Sequence, residues 1–432
     1  MVKCCGGLPL AITVLGGILA TRHTEGEWDE VFRHVKSYLH EEDNSRLTMV
    51  MGLSYDDLPF QLKPCFLYLA HFPEDFEIST KELIRMWMGE GFLPKFQHGG
   101  GREDTMEDVG ERYLRELVQR CMVLVGEIDL LGRIKTCRIH DLMRDFCVSK
   151  AQGENFLQIT NIHSMEVSEA HIGKIRRLAI NWGGDDFSAK RDRDDCDPML
   201  PLMISKKYPH VRSLLYFSYS VRNNVVKSMF KSFRSLRVLN LENTKPYKEE
   251  LPKDIGCLIH LRFLSLQDSY VNNVPSSMGN LRCMQTLDLW VRFVNMRVPN
   301  VFKKMEQLRH LYLPERYSVY EKLEVDPMAT LEKLPNLKIL RLLGSAFVGD
   351  NMVCSERGFP QLQSLVLSRL EIDAQLLKNE YDSRWIETKN FKTATENFKT
   401  LTETENFKTA TENFKTLTET QHVPSLVFQH CD

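Results

Sequence analysis

Apolar residues recur along this chain with two different periods. Up to about residue 160 the spacing is helical. Leu10, Val14, Leu15 and Ile18 form one stripe, and Pro9 suits the first turn of that helix. Trp28, Val31, Phe32 and Val35 predict a second helix. A third helical region runs over Leu53–Phe72, with Leu58, Leu62, Cys65, Phe66 and Leu69 on one face; Pro64 should restart it. Ser79 or Thr80 should cap a fourth helix that faces Leu83, Ile84, Trp87 and Met88 inward and ends at Gly89 and Gly91. Met106–Cys121 is amphipathic through Val109, Tyr113, Leu114, Leu117, Val118 and Cys121. Val123–Asp129 and Arg133–Ile139 then alternate like two strands around a Leu-Leu-Gly turn. His140-Asp141 opens a last helix, with Leu142, Met143, Phe146 and Cys147 keeping one face apolar. Helices, a short hairpin and a closing helix predict a winged-helix module.

From Ile175 the period changes. The pattern LxxLxL recurs with first positions at Ile175, Val211, Leu236, Leu261, Met284, Leu308, Leu337 and Leu362, and the last six intervals are 25, 25, 23, 24, 29 and 25 residues. That is the spacing of a leucine-rich repeat. One short strand cannot bury its leucines alone, so stacked turns share a core and a parallel sheet. Leu251-Pro252, Val274-Pro275 and Val298-Pro299 mark the returning, convex side. Positions between the leucines should face out on the concave sheet: Arg237, Asn240, Arg262, Ser265, Asp288, Arg309, Tyr312, Lys338 and Arg341, with Trp290 and Phe293 just past a strand. This basic stripe reads as a protein-contact surface or, equally, as solvated arginines. The segments Asn390–Glu405 and Asn406–Gln421 are the same unit with one difference, poor in apolar area, and predict a low-complexity tail. The fold class is therefore multidomain: a helical bundle remnant (1–50), a winged helix (51–160), an α/β leucine-rich-repeat solenoid (175–380) and the tail (386–421).

Composition narrows the function. The formal net charge is −2, and Leu53–Lys150 holds fewer Lys and Arg than Asp and Glu, which disfavours phosphate-backbone contacts and so nucleic acid. Eleven cysteines, without a CxxC pair, fit neither a disulfide scaffold nor a zinc site and suit a reducing compartment. The Leu8–Ala20 run is broken by Pro9, Gly16 and Gly17 and is too short for an integral membrane segment. Charged Asp185–Asp197 lacks the rigid spacing of a metal site. His140 precedes a helix start, where backbone N–H groups can hold an anion, above all a phosphate. The plainer reading is that it only caps the helix.

Four motifs occur in order: GGLPLAI at Gly6–Ile12, CFLYLAHFPEDFEI at Cys65–Ile78, LIRMWMGEGF at Leu83–Phe92 and RIHDLMRDF at Arg138–Phe146. With the repeats behind them, they resemble the back half of the nucleotide-binding switch (NB-ARC) of plant leucine-rich-repeat disease-resistance receptors of the coiled-coil class. The resemblance implies that Pro9 packs near the adenine of ADP or ATP. It implies that His140 contacts the β-phosphate of ADP and holds the resting state, with Asp141 the acidic residue that follows. Ile139 stands where the family usually has Met, a swap of similar size. The resemblance also implies a cytoplasmic setting, contacts between the repeats and the nucleotide-binding domain, and homo-oligomers of full-length members. The expected partner of the repeats is a pathogen effector or a host guard protein.

One departure is large. The sequence contains no GxxxxGK[ST] phosphate loop and no acidic strand for magnesium. The chain reads as N-terminally truncated, with no catalysis expected and weak or no nucleotide binding on its own. Two alternatives stay open: a repeat adaptor that recruits another protein, and a gene fragment that binds no nucleotide.

Overall fold

The structure is a computed structural model. It describes residues 8–37, 43–94, 104–130, 132–161, 175–181, 208–217, 220–221, 223–246, 250–291, 298–314, 328–343 and 358–368, with single positions 5, 296 and 355. The expected charged segment Asp185–Asp197, Phe293 and the repeated tail lie outside the described residues. The chain divides into two compact units. One takes residues 1–194, 206–217 and 236–238, and the other takes the remainder.

The first unit opens with α1 (Pro9–Ala20), where Pro9 sits in the first turn and its fixed φ suits the helix. Gly17 lies so close to the chain at Arg120 that a Cβ there would meet the Arg120 carbonyl carbon and oxygen at 2.6 Å. In α2 (Glu25–Ser37) Val31 and Val35 are buried, but Trp28 is 43% exposed, contrary to the helical stripe expected for it. The Trp28 indole N–H is instead hydrogen-bonded to the Arg22 carbonyl, 3.4 Å away, so its polar edge faces the preceding turn. Helix α3 spans Asp43–Asp56 and α4 spans Lys63–Tyr68. The restart expected at Pro64 is met, since Pro64 sits in the first turn of α4, but the break in Leu53–Phe72 comes earlier, at a turn between the two helices. Pro59 accounts for the break, because it restricts Leu58 and offers no N–H.

The winged helix follows. Strand β1 (Ile78–Ser79) leads into α5 (Thr80–Glu90), then α6 (Met106–Gln119), β2 (Leu124–Val125), β3 (Thr136–Arg138) and α7 (Asp141–Gly153). The sheet order is β1-β3-β2, all antiparallel. The two wing strands are shorter than the alternation suggested, but a bridge between Ile128 and Ile134 continues the hairpin. Neither Ser79 nor Thr80 caps α5 with its side chain. The Thr80 hydroxyl instead donates to the Ile134 carbonyl at 2.6 Å, fastening α5 to the wing. The helix passes through Gly89 and stops at Gly91, whose φ of +87° needs a glycine. Thr105 and Asp108 close a capping box on α6. Three parallel strands complete the described part of this unit: β4 (Gln158–Asn161), β5 (Arg177–Asn181) and β6 (Ser213–Phe217), in the order β4-β5-β6.

The second unit carries the later turns. Strand β7 (Ser220–Val221) and helix α8 (Asn223–Ser232) come first. Strand β8 (Val238–Asn240) begins in the first unit and ends in the second. β9 (Lys245–Pro246) pairs with β7. Then come β10 (Phe263–Ser265), β11 (Thr286–Asp288), β12 (His310–Tyr312), α9 (Met328–Leu331), β13 (Ile339–Leu343) and β14 (Ser364–Ser368). β10 to β14 run parallel, each paired with the next. The pattern leucines fill the interior: Leu261, Leu264, Leu266, Met284, Leu287, Leu289, Leu308, Leu311, Leu337 and Leu340 are all fully shielded. After Pro252 and Pro275 the chain turns through short 3-10 helices, Lys253–Cys257 and Ser276–Asn280.

Part of the expected outward row is not outward. Asn240, Ser265, Asp288 and Lys338 are buried. Three of them accept a backbone N–H two residues on: Asn240 from Glu242 at 2.8 Å, Ser265 from Gln267 at 3.3 Å and Asp288 from Trp290 at 2.9 Å. They close turns at the strand ends, which alternation alone does not reveal. Arg237, Arg262, Arg309, Tyr312 and Arg341 are half-exposed.

Two glycines on the convex side give opposite expectations. A Cβ on Gly256 would meet the Ser277 carbonyl oxygen at 2.5 Å, whereas one on Gly279 would meet nothing nearer than 3.6 Å. Gly256→Ala should destabilise the repeats by about 1–3 kcal/mol, as overpacking does. Gly279→Ala should be neutral or stabilising by up to about 1 kcal/mol. Chemical denaturation of the two variants checks this, and equal effects would contradict it.

Candidate functional site

The residues expected to face a nucleotide begin two helices of the first unit. His140 is the N-cap of α7, with extended backbone at φ −66° and ψ 141°. Its Nδ1 accepts the Leu142 N–H at 3.3 Å. The plainer expectation, a capping role, is therefore met. It leaves the second ring nitrogen to consider, since an Nδ1 that accepts a hydrogen bond puts the ring proton on Nε2. Asp141 follows in the first turn, where a carboxylate suits the helix dipole. Ile139 is buried behind it. Pro9 is exposed at the start of α1. That helix has Leu8 at its N-cap, no side-chain cap and no acidic residue in its first turn.

Helix α3 packs against both α1 and α7, so one element braces the two. Directly after α3, Asp57 receives two arginines. Arg22, just past α1, bonds one carboxylate oxygen, and Arg120, at the end of α6, bonds the other at 2.7 Å. Arg120 also reaches Glu116 at 3.3 Å and is itself buried. This clamp lies beside the close approach at Gly17. It escaped sequence reading because its members are spread over nearly a hundred residues with no shared spacing.

The helix that carries His140 is pinned from behind as well. Its Tyr55 side is a hydrogen bond from the Tyr55 hydroxyl to Glu154 at 2.9 Å, with Lys63 and Lys150 over the ring. The Cys147 thiol points at the Phe66 carbonyl, 3.3 Å away. Burial pushes the thiols of Cys65 and Cys147 up, and that of Cys137 to about 12, so these stay protonated and inert. Among the described residues no group of three His, Cys, Asp or Glu side chains could hold a metal ion. Nor is any described helix long and apolar enough to cross a membrane.

His71 is a second histidine, fully buried. Its Nδ1 bonds the Tyr68 carbonyl at 2.7 Å and its ring lies on that of Tyr68. Burial lowers its pKa from 6.5 to about 3.

A winged helix followed along the chain by stacked repeats defines the class: a winged-helix, leucine-rich-repeat protein. Comparison with known proteins refines it. The family profile described as Disease resistance protein Winged helix domain matches residues 72–147. The one described as Leucine-rich repeat region matches residues 210–325. Probable disease resistance RPP8-like protein 2 from Arabidopsis thaliana is 40% identical over 346 residues, covering 78% of this chain and 36% of its own length. Disease resistance protein RPP8 from the same plant is 40% identical over 347 residues, covering 77% of this chain and 36% of its own length. The winged helix and the repeats of this chain are those of plant disease-resistance proteins. The chain spans about a third of the length of these curated relatives.

Two variants test the supports. Asp57→Ala leaves the buried Arg120 without its closest acid and should cost about 3 kcal/mol in denaturation of the first unit; a loss under about 1 kcal/mol would remove the clamp. For His71 the folded pKa lies below the unfolded one, so the unfolded state binds the extra proton. Its contribution is complete above about pH 6.5 and is lost as pH falls towards 3. His71→Leu should therefore flatten the pH dependence of stability in that window, and an unchanged slope would contradict it.

Proposed function

We propose that this chain is the switch-and-recognition portion of a plant immune receptor. α1 and α7 contribute Pro9 and His140 to an adenine nucleotide held between states. The observation that carries the reading is the identity of the winged helix. The disease-resistance profile extends through the His140 cap and into α7. The donor set suits the ligand: the first-turn amides of α7 other than that of Leu142, which the cap uses, and the Nε2–H of His140 are groups that hold phosphate oxygens. The uncapped start of α1 behind Pro9 suits the base side. Phosphate grip and magnesium chemistry would come from a phosphate loop, which residues 1–432 do not contain. This reading gives the chain switching and recognition rather than turnover, and weak or no binding of ADP or ATP by the chain alone.

The repeats form the recognition surface in this reading. Arg341 lies over Trp290 at 5.6 Å and stands in register with Tyr312 on the neighbouring strand. Aromatic and arginine side chains side by side are the usual anchors of protein contacts. A pathogen effector or a host guard protein is the proposed partner, and homo-oligomers are proposed for full-length members.

Two substitutions at His140, placed in a complete receptor, separate the phosphate contact from the cap. His140→Ala loses both and should cost about 1 kcal/mol in α7 stability. His140→Asp keeps a good cap acceptor but sets a negative charge against phosphate. Both should raise basal signalling, and the Asp variant should do so without a drop in melting temperature. Resting output unchanged in both would remove His140 from the nucleotide site.

A further inference from the structure

Strands β4 to β6 repeat the pattern of the later strands, yet they belong to the compact unit of the winged helix. The contacts that join them are buried and specific. Glu90, the last residue of α5, has a side chain only 1% exposed and takes the Arg177 guanidinium of β5 at 2.9 Å. That guanidinium lies over Phe156 at 3.9 Å and over Phe92 at 5.0 Å. Arg237 donates to the Glu90 carbonyl at 3.2 Å. The hydroxyls of Tyr68 and Ser213, the first residue of β6, are 2.7 Å apart.

The other end of β6 reaches further. Phe217 meets Phe72 at 5.8 Å and Phe76 at 5.5 Å, and those two rings are 5.5 Å apart. The Phe72 carbonyl accepts from Nε of Arg144, in the first turn of α7, at 2.9 Å. The Arg144 backbone N–H donates in turn to the His140 carbonyl at 2.8 Å. Three links thus run from the last residue of a repeat strand to the histidine cap. Phe217 meets both rings edge to face, an arrangement that ties its position to theirs.

We propose that β4–β6 work as part of the winged-helix switch, with Phe217 and Arg144 as positioning residues that set the first turn of α7 and so the His140 ring. The role given to the ring rests on the nucleotide reading above; the link to α7 does not. Amide hydrogen exchange on the full chain, without nucleotide, tests it. Phe217→Ala should speed exchange of the 141–147 amides about tenfold, while those of α6 stay as they were. Arg144→Lys keeps the charge, loses the Nε donor and should produce the same local opening with β6 untouched. Phe217→Tyr should restore protection. In the double variant the effects should not multiply, because both act through the Phe72 carbonyl. Unchanged protection at 141–147 in Arg144→Lys would overturn the link. So would a parallel rise in α6, or independent effects in the double variant. Failure here leaves the phosphate contact of His140 standing, and failure of the signalling test leaves the link standing.

Discussion

A carboxylate that water hardly reaches needs a partner inside the protein, and for Glu90 that partner is Arg177. The pair joins the last residue of α5 to the first residue of β5. Its guanidinium is then roofed by two phenylalanines, which suit a weakly hydrated cation better than a lysine would. Breaking such a pair from one side leaves a stranded charge, so the two elements have little freedom to part. The first repeat strands are consequently committed to the winged helix.

Two further constraints act on the same unit. Asp57 holds arginines from the loop after α1 and from the end of α6, and α3 lies between α1 and α7. Helix positions that look independent along the chain are therefore set by a few charged groups rather than by apolar packing alone. His140 caps α7 through Nδ1, so the use proposed for Nε2 does not compete with its structural one.

The sequence disclosed what periodicity can disclose. The leucines of the array, the wing hairpin and the start of α7 at His140 all follow from spacing and from turn chemistry. Trp28 did not follow its stripe, because an indole N–H prefers a carbonyl to an apolar face. Pro59 split a helix that the apolar face alone would have continued. Asn240, Ser265 and Asp288 were expected outside, where polar residues between leucines usually lie, and were found inside, closing turns. The Asp57 and Glu90 pairs had no signature at all. Each joins residues far apart in the chain, and ordinary charged residues carry no mark of burial.

The turn-closing side chains bear on how such arrays change over generations. Each of Asn240, Ser265 and Asp288 satisfies an amide only two positions away, inside its own coil. Losing or duplicating a whole coil therefore leaves these three turns closed in its neighbours. The outer surface can be lengthened and re-lettered one coil at a time, whereas the strands tied to Glu90 must be inherited together with the domain that grips them.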